Sequence, residues 1–219
     1  MNIFKSLILA LGLLIASHAK AGFITTNELM LDNIFSQTSF GNMPIDIRIG
    51  AASELIFPHL LDISSDAEVI ELFNMHVGDQ NIVNFYFIDT ISACGGTINT
   101  RYVGCGEFPG NDFIVESSFA ASSSGSELLA HELGHNLGLP HLSGRYLMNP
   151  SLNGNTTITQ EEVNIIHNSS LVQTNGRDFW ININPVLIVA AASTPVPEPS
   201  TLMLILLSAG LLFRKKIKI

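Results

Sequence analysis

The chain has 219 residues, enough for one domain with a proper core. It is 47% apolar and only 13% charged, with 19 acidic against 10 basic residues and a net charge of −9. Such a balance excludes a disordered chain and argues against a nucleic-acid binder, which needs a basic stripe, while two cysteines exclude a disulfide-dense miniprotein. The mean hydropathy of +0.36 is high for a soluble domain and points to apolar segments at the ends.

Residues 1–21 read as a secretory signal peptide: Lys5 supplies the positive start, residues 7–16 the apolar stretch, and Ala19-Lys20-Ala21 a small-x-small cleavage site. The mature domain is then 22–194. Residues 44–49 alternate, with Ile45, Ile47 and Ile49 on one face and Asp46 and Arg48 on the other, which predicts a half-buried strand. Ser65 and Glu68 form a capping box for a helix with Val69, Leu72, Phe73 and His76 on one stripe. Residues 81–89 are almost continuously apolar, as in a strand buried on both faces. The strand–helix–strand order predicts a parallel pair with a crossover helix.

A Gly-rich loop carrying Cys94 and Cys105 comes next, then a strand over 112–118. Export favours a Cys94–Cys105 disulfide; the rival reading is a metal-binding thiol pair. Ser124 with Glu127, and Thr159 with Glu162, are two more capping boxes, the second opening a helix with Val163, Ile165 and Ile166. Residues 181–192 fit a final strand. A Pro-rich linker (193–200) leads to an apolar run, 201–213, and a tail with Arg214, Lys215, Lys216 and Lys218. Thirteen helical residues cover about 20 Å, short of the ~30 Å hydrocarbon core. The basic tail should stay cytoplasmic, leaving the rest outside.

The last 25 residues resemble the PEP-CTERM sorting signal of certain Gram-negative bacteria, on Pro197-Glu198-Pro199, the short apolar helix and the basic tail. The resemblance implies transient membrane insertion through 201–213, recognition and removal by an exosortase, and a cell-surface or extracellular-matrix location. A permanent C-terminal anchor is the alternative.

The segment that carries chemistry is His131-Glu132-Leu133-Gly134-His135-Asn136-Leu137-Gly138-Leu139-Pro140-His141. In a helix, His131 and His135 project from one face, and neutral imidazoles bind zinc at ~2.0–2.1 Å. Gly138 lets the chain leave the helix through a left-handed turn, so that His141 returns as third ligand. Three protein ligands leave a fourth position for water, the layout of a catalytic zinc. Glu132 sits where it reaches that water without ligating the metal, as general base.

The three-histidine stretch with Leu147-Met148-Asn149-Pro150 resembles the metzincin metalloproteases, closest to their matrixin branch. The resemblance implies an α+β (mixed α/β) domain with a twisted mixed sheet, an active-site helix, and a methionine turn placing Met148 beneath the zinc ligands. It departs at Asn149, where matrixins commonly have tyrosine, and at Leu142, where they have serine. Residues 22–43 are short and lack cysteine, so no cysteine-switch propeptide is expected. The implied activity is an exported zinc endopeptidase whose protein or peptide substrate pairs, extended, with a sheet edge, for which 112–118 is the candidate. Competing readings are a surface or matrix protein that keeps the zinc site without proteolysis, and a zinc amidase acting on peptidoglycan. Calcium bound by Asp112, Glu116 and Glu107 is possible on the family pattern but unassigned, since no calcium loop motif is present. His18 leaves with the signal peptide, and His59, His76 and His167 read as background.

Without its ends the domain keeps four arginines, no lysine and 18 acidic residues, a balance of −14. It should avoid nucleic acid and other anionic polymers.

Overall fold

In the computed structural model, which describes residues 23–191, a mixed sheet is assembled from strands far apart in the chain. The expected signal peptide at 1–21 and the expected linker, apolar run and basic tail at 193–219 lie outside the described residues. In chain order the elements are α1 (Glu28–Phe35), β1 (Ile45–Ile49), β2 (Ser53–Ile56), β3 (Asp62–Ile63), α2 (Asp66–Phe73), β4 (Ile82–Ile88), β5 (Thr90–Ile91), β6 (Ala93–Cys94), β7 (Thr97–Ile98), β8 (Gly104–Gly106), β9 (Asp112–Glu116), α3 (Ser117–Ala120), α4 (Gly125–Asn136), α5 (Gln160–His167), β10 (Gln173–Thr174) and β11 (Phe179–Val189). No helix among the described residues is long and apolar enough to cross a membrane.

The main path of the sheet is β1-β11-β4-β9-β8, with β2 and β10 also paired to β11. All neighbours on that path are parallel except β8, which runs antiparallel to β9 and forms the edge. The expected strand–helix–strand unit is corrected here. β1 and β4 do not touch, because β11 lies between them, with Ile183 opposite both Ile49 and Val83. The final strand therefore occupies the centre of the sheet. Its Pro185 falls where β1 has ended and β2 has not begun, so the missing N–H interrupts no continuous ladder on that side.

Alternation along the strands builds two cores. On one face Ile45, Ile47, Phe85, Phe113, Ile181 and Ile183 pack with α1, α4 and α5; on the other Tyr86, Ile114, Val186 and Ile188 pack with Val69 and Leu72 of α2. Phe85 and Phe113, opposite each other in the β4–β9 ladder, pack with centroids 4.0 Å apart and ring planes tilted by 45°.

The capping boxes at Ser65/Glu68 and Thr159/Glu162 are both formed. The third is not. Ser124 makes no side-chain cap to α4, and Glu127 turns away to accept from the amides of Asn153 and Gly154. Two backbone N–H groups in a loop offer this buried carboxylate more than one N-cap amide does. Cys94 and Cys105 form a disulfide, joining the β6–β7 hairpin to the edge strand with Cα atoms 5.8 Å apart. Both sulfurs are spent, which removes the thiol-pair metal reading. A loop of this size contributes about 2–3 kcal/mol.

Candidate metal centre

Leu129 and Leu133 bury α4 on its far side, which turns the stripe bearing His131 and His135 toward a cleft. On that stripe His131 and His135 stand one turn apart, their ring centroids separated by 4.8 Å. The helix then ends in a Schellman motif: Gly138 N–H donates to the His135 carbonyl at 2.9 Å, and Leu139 N–H to the Gly134 carbonyl at 2.9 Å. Gly138 sits at φ +90°, the left-handed conformation the motif requires. The reversal brings His141 Nε2 to 3.1 Å from His135 Nε2.

One ligand atom from each of His131, His135 and His141 lies within 4.8 Å of the others, the only such group of three among the described residues. The donor chemistry fits a metal ion. The Nδ1 of His131 faces the Leu147 carbonyl at 2.8 Å, and that of His135 the Leu139 carbonyl at 3.0 Å. Each ring thus donates its proton outward and leaves Nε2 as a lone-pair donor. Burial holds all three histidines below the usual range, His135 down to about 4, so the imidazoles are neutral as ligands must be. Two nitrogens on one tetrahedral zinc ion would stand about 3.3 Å apart, close to the His135–His141 spacing.

Glu132 follows the first histidine and points to the edge strand instead of the helix stripe. Its carboxylate lies against Gly104, where a methyl group would overlap it, and it accepts from the Gly106 N–H. Burial pushes the carboxyl up to about 8, against the opposing pull of that N–H. Along β8 run two clefts. One, of about 490 Å³, is lined by all three histidines, Glu132 and the Cys94–Thr97 hairpin. The other, of about 380 Å³, is lined by His131, Glu132 and the loop Asn149–Leu152. Phe108, largely exposed, meets the His135 ring edge-on at 6.0 Å at the rim of the first.

Met148 is fully buried, its sulfur pressed against Gly134, the residue before His135. Its carbonyl accepts from Leu142 N–H at 2.8 Å, tying the segment after His141 to the turn. Asn149 is spent within that turn: Nδ2 donates to the Gly144 carbonyl at 2.7 Å, and Oδ1 accepts from Ser151 N–H at 3.0 Å.

The edge expected at 112–118 is corrected. β9 is an interior strand between β4 and β8, and the edge on that side is the part-buried Gly104–Gly106. Nor do Asp112, Glu116 and Glu107 converge as a cation site. Asp112 is buried on His76, its Oδ1 2.9 Å from Nδ1; Glu116 accepts from Ile91 N–H; and Glu107 accepts from the amides of Asn111 and Asp112. His59 pairs with Glu71 at the surface, and His167 lies between Phe40 and Phe179, so both are apart from the cluster. Sequence reasoning missed Gly104 and Gly106, which meet Glu132, Tyr102, which lines both clefts, and Glu127, which holds the loop after the second. The Gly-x-Gly alternation was a usable signal, since glycine inside a strand marks close approach by another group.

A family model for the PEP-CTERM protein-sorting motif matches residues 195–216. That motif implies processing by an exosortase and sorting to the cell surface. No curated protein matches the chain.

Proposed function

We infer that the chain is an exported zinc-dependent endopeptidase of the metzincin type, its activity residing in residues 22–194 between a signal peptide (1–21) and the sorting segment (195–219). The observation that carries this reading is the convergence of His131, His135 and His141 beside the carboxylate of Glu132, at a sheet edge. His131, His135 and His141 would hold the ion, and Gly138 is the exit that folds the third toward the first two. Met148 is the apolar floor beneath them.

Zinc supplies Lewis acidity, lowering the pKa of water toward ~7 and polarising a carbonyl. The chain's own residues do the rest. Glu132, held by the Gly106 N–H and Gly104 against the cleft, takes the proton of the attacking water and passes it to the leaving amine. Its burial keeps it a stronger base than a solvated carboxylate. The edge strand β8, whose Gly106 N–H is already given to Glu132, offers its remaining backbone groups to an extended peptide, which would cross the site by strand addition.

The test is incubation of the zinc-loaded domain with an unfolded protein and a complex peptide mixture. Cleavage abolished by a chelator and restored by zinc supports the proposal. Stoichiometric zinc with every substrate intact contradicts it.

A further inference from the structure

We propose that Tyr102 belongs to the same site as the hydrogen-bond donor to the substrate carbonyl oxygen when that carbon turns tetrahedral. The inference rests on the peptidase reading above.

The two clefts share five residues: Tyr102, Gly104, His131, Glu132 and Pro150. A peptide running from one cleft into the other crosses this junction, and the presence of His131 and Glu132 there marks it as the place of the scissile bond. As the carbonyl is attacked, negative charge gathers on its oxygen, and a preorganised donor lowers that barrier. Among the five, Glu132 is an acceptor and His131 offers a lone pair toward the cluster. Gly104 and Pro150 have no side-chain donor. The Tyr102 phenol is the one side-chain O–H at the junction.

Two other side chains near the histidines are unsuited. Asn149 gives one N–H and its carbonyl to its own turn and lines only the second cleft, away from the junction. Tyr146 packs its ring over Gly144 and lines neither cleft. Tyr102 is positioned by the hairpin beside it. Its hydroxyl is 2.5 Å from Thr97 Oγ1, and Thr97 Oγ1 itself donates to the Cys94 carbonyl at 2.8 Å. Thr97 has one proton, already given to that carbonyl, so Tyr102 is the donor of this pair. Cys94 is in turn bonded to Cys105 of β8. The phenol is thus tethered to the edge strand through Thr97 and the disulfide. In the reaction its proton changes partner, from Thr97 Oγ1 to the substrate oxygen, and no bond within Tyr102 breaks.

The experiment compares wild type, Tyr102→Phe and Tyr146→Phe as zinc-loaded full domains on one peptide that the wild type cleaves. Phenylalanine keeps the ring and its packing, so the fold survives. For Y102F the expected result is a kcat lower by about 10²-fold, KM within about twofold, and unchanged zinc stoichiometry. Inhibition by a phosphinic peptide, a stable tetrahedral anion, should weaken by a similar factor, because that binding reports the same hydrogen bond without turnover. Y146F should match wild type throughout. Wild-type kcat and phosphinate affinity in Y102F would overturn the proposal, as would a raised KM alone or loss of zinc. A wild-type protein that binds zinc and cleaves nothing would overturn the peptidase reading and this one together. A cleaving wild type with an unimpaired Y102F would overturn this one alone.

Discussion

The carboxylate of Glu132 lies against the bare backbone of Gly104, so a helix side chain and an edge strand share one wall of the cleft. Any side chain at position 104 would have to displace the carboxylate. Gly104→Ala should therefore move Glu132 while leaving the three histidines in place. A displacement on the order of 1 Å costs about 10²-fold in turnover. Peptide cleavage should fall by that order while the zinc content of the purified variant stays at the wild-type level.

Metal binding should resist acid further than the ligand types alone suggest. Burial holds His135 down at about 4 in the folded protein, against 6.5 for an ordinary histidine. Affinity for zinc should stay nearly level from pH 8 to pH 6 in the folded domain, whereas a peptide spanning 131–141 should begin losing zinc near 6.5. The same shift makes the contribution of His135 to the metal-free fold sensitive to acid. Between 6.5 and about 4 the unfolded chain binds more protons at this position, so that contribution is full above 6.5 and falls as pH drops through that window. Glu132, held up to about 8, acts with the opposite sign, keeping its proton in the folded state. Zinc titrations of the wild type, and denaturant unfolding of metal-free Glu132→Gln across this range, check both statements.

Met148 fills the space under Gly134 with no exposure to solvent. Truncation to alanine should leave a cavity and cost about 2–5 kcal/mol. Met148→Leu, nearly volume-conserving, should cost less than about 1.5 kcal/mol. Chemical denaturation midpoints of the metal-free variants distinguish the two.

Glu127 fastens the loop that walls the second cleft, through the amides of Asn153 and Gly154. Glu127→Ala leaves those N–H groups without their charged acceptor and should cost about 1.5–3 kcal/mol. Hydrogen exchange at 149–155 should accelerate locally, because the loop loses its anchor before the sheet is affected.

What the sequence made legible was local. The i, i+3 capping boxes at Ser65 and Thr159 could be read because both partners lie within one turn. The i, i+4 histidines and the glycine at the helix exit were readable for the same reason. Glu127 fits the same local rule, yet its partners lie 26 and 27 residues away. The sheet order was hidden by longer separations still: Ile183 pairs with Ile49 and Val83, and nothing in the local patterns of β1 or β4 announces a strand from the far end of the domain. The edge strand escaped notice because Gly104-Cys105-Gly106 has little strand propensity, while the better strand former, β9, is interior. The same glycines that weakened the strand signal leave room for Glu132.

The most direct measurement is peptide cleavage by the zinc-loaded domain beside its Glu132→Gln variant, with zinc content determined on both samples. Glutamine keeps the shape of the side chain against Gly104 and cannot take a proton from water. The account predicts equal zinc in both proteins, chelator-sensitive cleavage by the wild type, and none by E132Q. Equal cleavage by the two proteins would contradict it.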